Sequence, residues 1–228
     1  GIDGGRRLQR EVLQRVVAAD PEERRQRQDG QVGADRGAVV AHGAEYAELA
    51  GEKGEAARMK KELELLPGKF RGALAKSEEV AGEALERLKD DTFFYVLGDG
   101  AVWALAYQWG YTNLMEYAKI HAACLRSSEW RHGPLEVLPK RPAMVQFVGA
   151  DATREYSLGT QAYCRDRGAR LAVFDSRDYF ETHPVLAPFA LHTVSQLFLM
   201  WYCTLHGRDM DAYGEMHIRP YLPGETYF

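Results

Sequence analysis

A three-layer α/β fold built on a mainly parallel sheet is predicted for residues 91–228, and three observations predict it. Short apolar runs at 93–97, 142–148 and 169–174 alternate with longer helix-forming stretches at 152–167 and 186–205, and strands separated by helices of that length imply crossovers between parallel neighbours. The first run ends in Gly98-Asp99-Gly100, a glycine turn of the kind that passes a strand into a helix. The most apolar stretch, 185–205, carries His192, Thr193, Ser195 and Gln196. A membrane span needs ~20 predominantly apolar residues, so this stretch reads as a buried helix covering one side of the sheet.

Taken in order, residues 1–45 hold eight arginines but no lysine and no aromatic. Low hydrophobicity with high charge does not offset the entropy of ordering, so this segment reads as a disordered leader that adds nothing to stability. Residues 46–90 read as a helical segment. Within it Leu66-Pro67-Gly68 predicts a break into two helices, since proline suits the first turn of a helix better than its interior. In the second, Phe70, Leu74, Val80, Ala84 and Leu88 form a loosely helical apolar stripe. After the glycine turn a helical stretch is expected to run to about Arg126, followed by strand 142–148, helix 152–167, strand 169–174 and the last helix. There Leu186, Ala190, Val194, Leu197, Trp201 and Leu205 share one face by their spacing.

Composition narrows the function classes. Hydrophobic residues make up 46% and aromatics 11% of the chain, enough for a core, while a net charge of −4 offers no footprint for nucleic acid or an anionic membrane. Cys124, Cys164 and Cys203 are widely spaced and odd in number, which fits neither a disulfide framework nor a structural zinc site. The N-terminal residues lack the basic start and apolar run of a signal peptide. A cytoplasmic protein is expected, with no metal, and an anionic substrate would have to be held by a local site.

The chemistry-bearing segment is 113–138, where Glu116, Lys119, His121, Arg126, Glu129, Arg131 and His132 gather. Charges at helical spacing are most often a solvated face, and a histidine before Gly133-Pro134 is often a turn residue. Residues 127–135, SSEWRHGPL, nevertheless resemble the Glu-x-x-His-Gly-Pro signature of the second sugar-isomerase (SIS) domain of glucosamine-6-phosphate synthase and its relatives. The fuller pattern, Leu114-Met115-Glu116 before Ile120-His121-Ala122 and then His132-Gly133-Pro134, is similar to the fructosamine-6-phosphate deglycases, which act on fructoselysine or fructose-asparagine phosphates. The resemblance covers roughly residues 91–206, its specific part 114–135.

It implies a cofactor-free enzyme acting on a phosphorylated amino sugar, with Glu116 as base and His132 as acid. Gly98, Gly100, Ser127 and Ser128 are candidate substrate-binding residues, since backbone N–H groups at a helix start can face an anion, although Asp99 would repel phosphate and a glycine turn is common punctuation. Glu116 and His132 are sixteen residues apart in sequence. On one straight helix a rise of ~1.5 Å per residue would separate them by ~24 Å. Either the chain reverses between them or they come from two subunits, and Ser127-Ser128 could supply the break and cap a new helix at Glu129.

A homodimer is expected, as in the resembled enzymes, through the helices around 113–123 and 185–205, because Trp103, Trp109 and Trp201 exceed what half a fold would bury. No lysine follows Lys140, unlike the synthase, whose C-terminal lysine opens the sugar. That favours the deglycase reading over an aldose–ketose isomerase. A non-catalytic phosphosugar-binding or truncated SIS module is the other alternative, since no Ser/Thr phosphate loop of the first SIS half is found before residue 90. The tail at 209–220 could bring His217 or Arg219 over the site.

Overall fold

The computed structural model describes residues 53–212. The leader at 1–45, and His217 and Arg219 of the tail, lie outside the described residues.

The first element is one helix, α1 (Lys53–Leu88), with Pro67 inside it, rather than the two helices expected. Met59, Leu66 and Ala73 are buried at intervals of seven residues and Ser77, Ala81, Ala84 and Leu88 continue the stripe. Seven residues are close to two helical turns, so running straight through Pro67 keeps the whole stripe on one face. Pro67 itself is exposed. The buried face differs from the expected one: Ala84 and Leu88 belong to it, whereas Leu74 is exposed.

Four strands follow, β1 (Phe93–Gly98), β2 (His121–Arg126), β3 (Ala143–Val148) and β4 (Arg170–Asp175). They form one sheet in the order β2-β1-β3-β4, every pair parallel. Because side chains alternate across a strand, the sheet feeds two cores. Phe94, Val96, Val145, Phe147, Ala172 and Phe174 pack against helices on one side. Leu97, Met144 and Leu171 pack on the other, against Cys164 of helix α3 (Arg154–Asp166) and against Trp130 and Leu138. The α/β three-layer expectation is therefore met.

The connection from β1 to β2 departs from expectation. Helix α2 (Trp103–Gln108) passes into a π-helix, Trp109–Tyr117, and stops there. Ala118 N–H donates to Asn113 O at 3.0 Å, Ile120 N–H donates to Leu114 O at 2.9 Å, and Lys119 has φ +54°. This is a Schellman-type end, whose left-handed position is usually glycine. With lysine there the sequence gives no stop signal, and Ala122 and Ala123 favour helix over strand. Pairing overrides that preference, because His121–Arg126 lies alongside β1 over all six residues. Gly110 lets the π-helix approach β2: a Cβ there would stand 2.1 Å from Cys124 Sγ.

The last helix, α4 (Ala187–Leu205), lies against α1 and the sheet, with Leu191, Val194, Phe198, Trp201 and Tyr202 in the core. The stretch Pro184–Leu205 is long and apolar enough to cross a membrane, but this packing makes it a core helix. Trp109 and Trp201 are also fully buried within this one chain, and Trp109 Nε1–H donates to Ser195 O at 3.2 Å. The expectation that Trp103, Trp109 and Trp201 exceed what half a fold would bury is corrected for Trp201 and for Trp109, which packs on Phe147 and Phe198, while Trp103 is only partly buried.

Candidate functional site

In an open parallel sheet, ligands favour the crevice beyond the carboxyl ends of the strands where the strand order reverses, which here lies between β1 and β3. Gly98 closes β1, and its carbonyl accepts from Ser127 N–H at 3.2 Å just past the end of β2. Asp99 is buried at 5% exposure. Its carboxylate accepts from Gly100 N–H at 3.1 Å and from Ser128 N–H at 2.7 Å. Asp151, from the β3–α3 loop, accepts from Ala101 N–H at 2.8 Å and from Thr153 through N–H at 2.8 Å and Oγ1–H at 2.5 Å. Burial acts to lift the Asp151 carboxyl, but the hydrogen bonds from Thr153 and Ala101 outweigh it and hold it below the ordinary aspartate value. Gly100 has φ +53°, and a Cβ there would stand 2.5 Å from Asp151 Oδ2 and Thr153 Oγ1.

Gly98, Gly100, Ser127 and Ser128 are thus brought together at the carboxyl edge. The N–H groups of Gly100, Ala101 and Ser128, which could have cradled an anion, are engaged by the chain's own carboxylates. Ser127 Oγ is buried with no partner among the described residues.

His132 stands on the same edge, on a chain that turns rather than starting a new helix at Glu129. Glu129 N–H and Trp130 N–H both donate to Arg126 O, at 3.1 and 2.9 Å, and His132 N–H donates to Glu129 O at 3.1 Å. A short 3-10 turn, Gly133–Val137, follows. With no helix starting at Glu129, Ser127-Ser128 have none to cap, and Ser128 N–H is held by Asp99 instead. Trp130 is buried with its ring edge-on to Tyr95 at 6.2 Å, and Thr160 Oγ1–H donates to Ser127 O at 3.0 Å. Two residues beyond the Trp130 anchor, the His132 side chain is exposed. Nearby, the Arg126 guanidinium lies over the Trp103 ring at 5.2 Å.

Glu116 stands at the opposite edge, in the last turn of the π-helix and partly exposed. Burial first, and then the Glu116 and Asp211 carboxylates, push the Tyr117 hydroxyl above its usual value. The helix end beside Glu116 is closed by the start of the tail: the Arg208 guanidinium donates to Ala118 O and, at 3.1 Å, to Lys119 O. Arg208 is not among the tail residues that the sequence singles out, His217 and Arg219. A basic residue shortly after the last helix is the signal that could have raised it, since cations suit helix carboxyl ends.

The six residues of β2 separate the two edges by about 17 Å at ~3.3 Å per residue. One copy of the chain therefore groups His132 with Gly98, Gly100, Ser127 and Ser128 but leaves Glu116 apart. Among the described residues no three His, Cys, Asp or Glu side chains gather as a metal-ligand set. Burial pushes the thiols of Cys124 and Cys203 up to about 11, which leaves them protonated and poor nucleophiles at neutral pH.

No protein-family model matches the chain. It is 28% identical over 154 residues to the fructoselysine 6-phosphate deglycase of Escherichia coli (strain K12), a match covering 67% of this chain and 45% of the relative. It is 25% identical over 138 residues to the fructosamine deglycase of Bacillus subtilis (strain 168), covering 58% of this chain and 42% of the relative. Its fold is similar to the C-terminal domain of glucosamine-fructose-6-phosphate aminotransferase from Francisella tularensis, with TM-score 0.59 and 24% identity over 69% of this chain and 47% of that one. The resemblance to the SIS domain, and within it to the fructosamine deglycases, is borne out. The chain spans about half the length of the curated relatives it matches.

Proposed function

We propose that this chain is a phosphosugar-processing SIS enzyme that deglycates a fructosamine 6-phosphate, releasing an amine and glucose 6-phosphate. The likeness to relatives named as deglycases supports the substrate class. The placement of Glu116 and His132 at opposite ends of β2 carries the mechanism, because it makes a site shared between two copies the arrangement that brings both to one sugar. A symmetric dimer can pair the amino edge of one copy with the His132 turn of the other.

The exposed His132 imidazolium protonates the ring oxygen while the C2 hydroxyl gives up its proton, so that the ketosamine opens to its C2 carbonyl. The Glu116 carboxylate then takes a proton from C1, giving an enaminol. Return of that proton to C2 leaves an imine at C1, so the oxidation level has moved from C2 to C1 with no external oxidant or reductant. One water adds to the imine carbon and the C–N bond breaks, releasing the amine and the aldehyde of glucose 6-phosphate. The sugar phosphate itself calls for donors other than those of Gly100, Ala101 and Ser128, which are already engaged.

The test is complementation. Glu116→Gln and His132→Asn should each slow release of amine and glucose 6-phosphate by ~10²–10⁴-fold. Mixing the two slowed proteins should restore about a quarter of wild-type activity, because half of the dimers are mixed and each mixed dimer holds one intact site. Wild-type turnover in Glu116→Gln would remove the deglycase reading and leave a phosphosugar-binding module. Loss without complementation would remove the shared site.

A further inference from the structure

We infer that Asp99 and Thr160 are positioning residues for His132, clamping the entry to the turn that presents its imidazole. The inference rests on the reading of His132 as the acid. The clamp has two jaws from separate elements. Asp99, on the β1–α2 turn, is 5% exposed and receives Ser128 N–H at 2.7 Å on one carboxylate oxygen while the other receives Gly100 N–H at 3.1 Å. Thr160, on α3, donates Oγ1–H to Ser127 O at 3.0 Å. The two consecutive backbone groups at the root of the turn are thereby fixed from opposite partners. Ser127 N–H is also tied to Gly98 O at 3.2 Å.

Beyond the root the chain has little freedom before it reaches His132. Trp130 is buried against Tyr95, and His132 N–H closes back onto Glu129 O. The exposed ring of His132 then makes no hydrogen bond, ion pair or ring contact among the described residues, so its placement is inherited from the backbone beneath it. An exposed acid with no orienting partner needs such support, because a misplacement of about 1 Å can cost ~10²-fold in rate. A buried carboxylate spent on two backbone N–H groups is otherwise an expensive way to make a turn.

The experiment uses the full chain and two readouts. Amide exchange followed by NMR should be ~10-fold or more faster at Ser128 through His132 in Asp99→Asn and in Thr160→Val. It should be near wild type in Thr160→Ser, which keeps the hydroxyl, and in Asp151→Asn, which disturbs Ala101 and Thr153 but not this turn. In turnover, Asp99→Asn and Thr160→Val should lower kcat by ~10- to 10²-fold with KM little changed, Thr160→Ser should recover it, and Asp99→Asn added to His132→Asn should cost nothing further. Unchanged exchange in Asp99→Asn and Thr160→Val, or additive losses in that double variant, would overturn the clamp. If His132→Asn alone leaves turnover intact, the acid role fails and with it the catalytic purpose of the clamp, while the exchange result still decides whether these two residues hold the turn.

Discussion

The two edges of the sheet are built on opposite plans. At the carboxyl edge two carboxylates, Asp99 and Asp151, take up the N–H groups of Gly100, Ala101, Ser128 and Thr153, and the Trp130 anchor stiffens what lies beyond. At the amino edge Glu116 sits in the last turn of a π-helix, and Arg208 closes the Ala118 and Lys119 carbonyls just beyond it. In most folds of this architecture the carboxyl edge receives the anion. Here that edge has supplied its own anions, so its donors serve to hold loops, and the Glu116 carboxylate lies at the other end. A fold places a crevice, but the side chains within it decide whether the crevice is a site or a joint.

The strongest way to break the comparison is Glu116→Gln, which preserves shape while removing the proposed base. Turnover should fall by ~10²–10⁴-fold with substrate binding nearly unchanged, whereas Glu129→Gln, at an exposed turn position, should stay close to wild type. Parallel measurement of amine release and of phosphosugar affinity checks both. At the carboxyl edge Trp130→Ala should cost about 3–5 kcal/mol in urea unfolding, as for a large ring lost from a packed core. Gly100→Ala should cost about 1–3 kcal/mol, since it combines a left-handed backbone with a Cβ pushed onto Asp151.

Smaller effects sharpen the contrast further. The Asp151 carboxyl is held below the ordinary value, so its contribution to stability is present above about pH 4 and is lost as pH falls through its lowered folded value. Urea midpoints of wild type should therefore drop more steeply below pH 4 than those of Asp151→Asn, and parallel curves would contradict the assigned hydrogen bonds. At the amino edge Lys119→Gly, which relieves a left-handed lysine, should stabilise the fold by about 0.5–1 kcal/mol in the same assay.

The central strands and the helices α3 and α4 were legible because their signals are strong and local: continuous apolar runs, glycine punctuation and a three–four spacing. The β2 strand was not legible, since His121–Arg126 has alanines where a strand would show β-branched residues, and Lys119 stands before it where a stop would show glycine. Its identity as a strand comes from lying beside β1, a relation between distant residues. The break at Pro67 failed for a similar reason, as packing of Leu66 and Ala73 on one face outweighs a local preference. For the site, residue types and the His-Gly-Pro pattern pointed to Glu116 and His132. That Asp99 would hold the His132 turn was hidden, because hydrogen bonds to backbone groups leave no mark in the residues that receive them.

The π-helix between Trp109 and Tyr117 holds slack. Bonding i to i+5 places one more residue inside each hydrogen-bonded loop than an α-helix does. Deleting a single residue between Trp109 and Asn113 would let the segment rewind as α-helix, and the rewinding would absorb most of the loss, so Glu116 would keep close to its direction. The same deletion in a segment already α-helical would swing everything after it by about 100° around the axis.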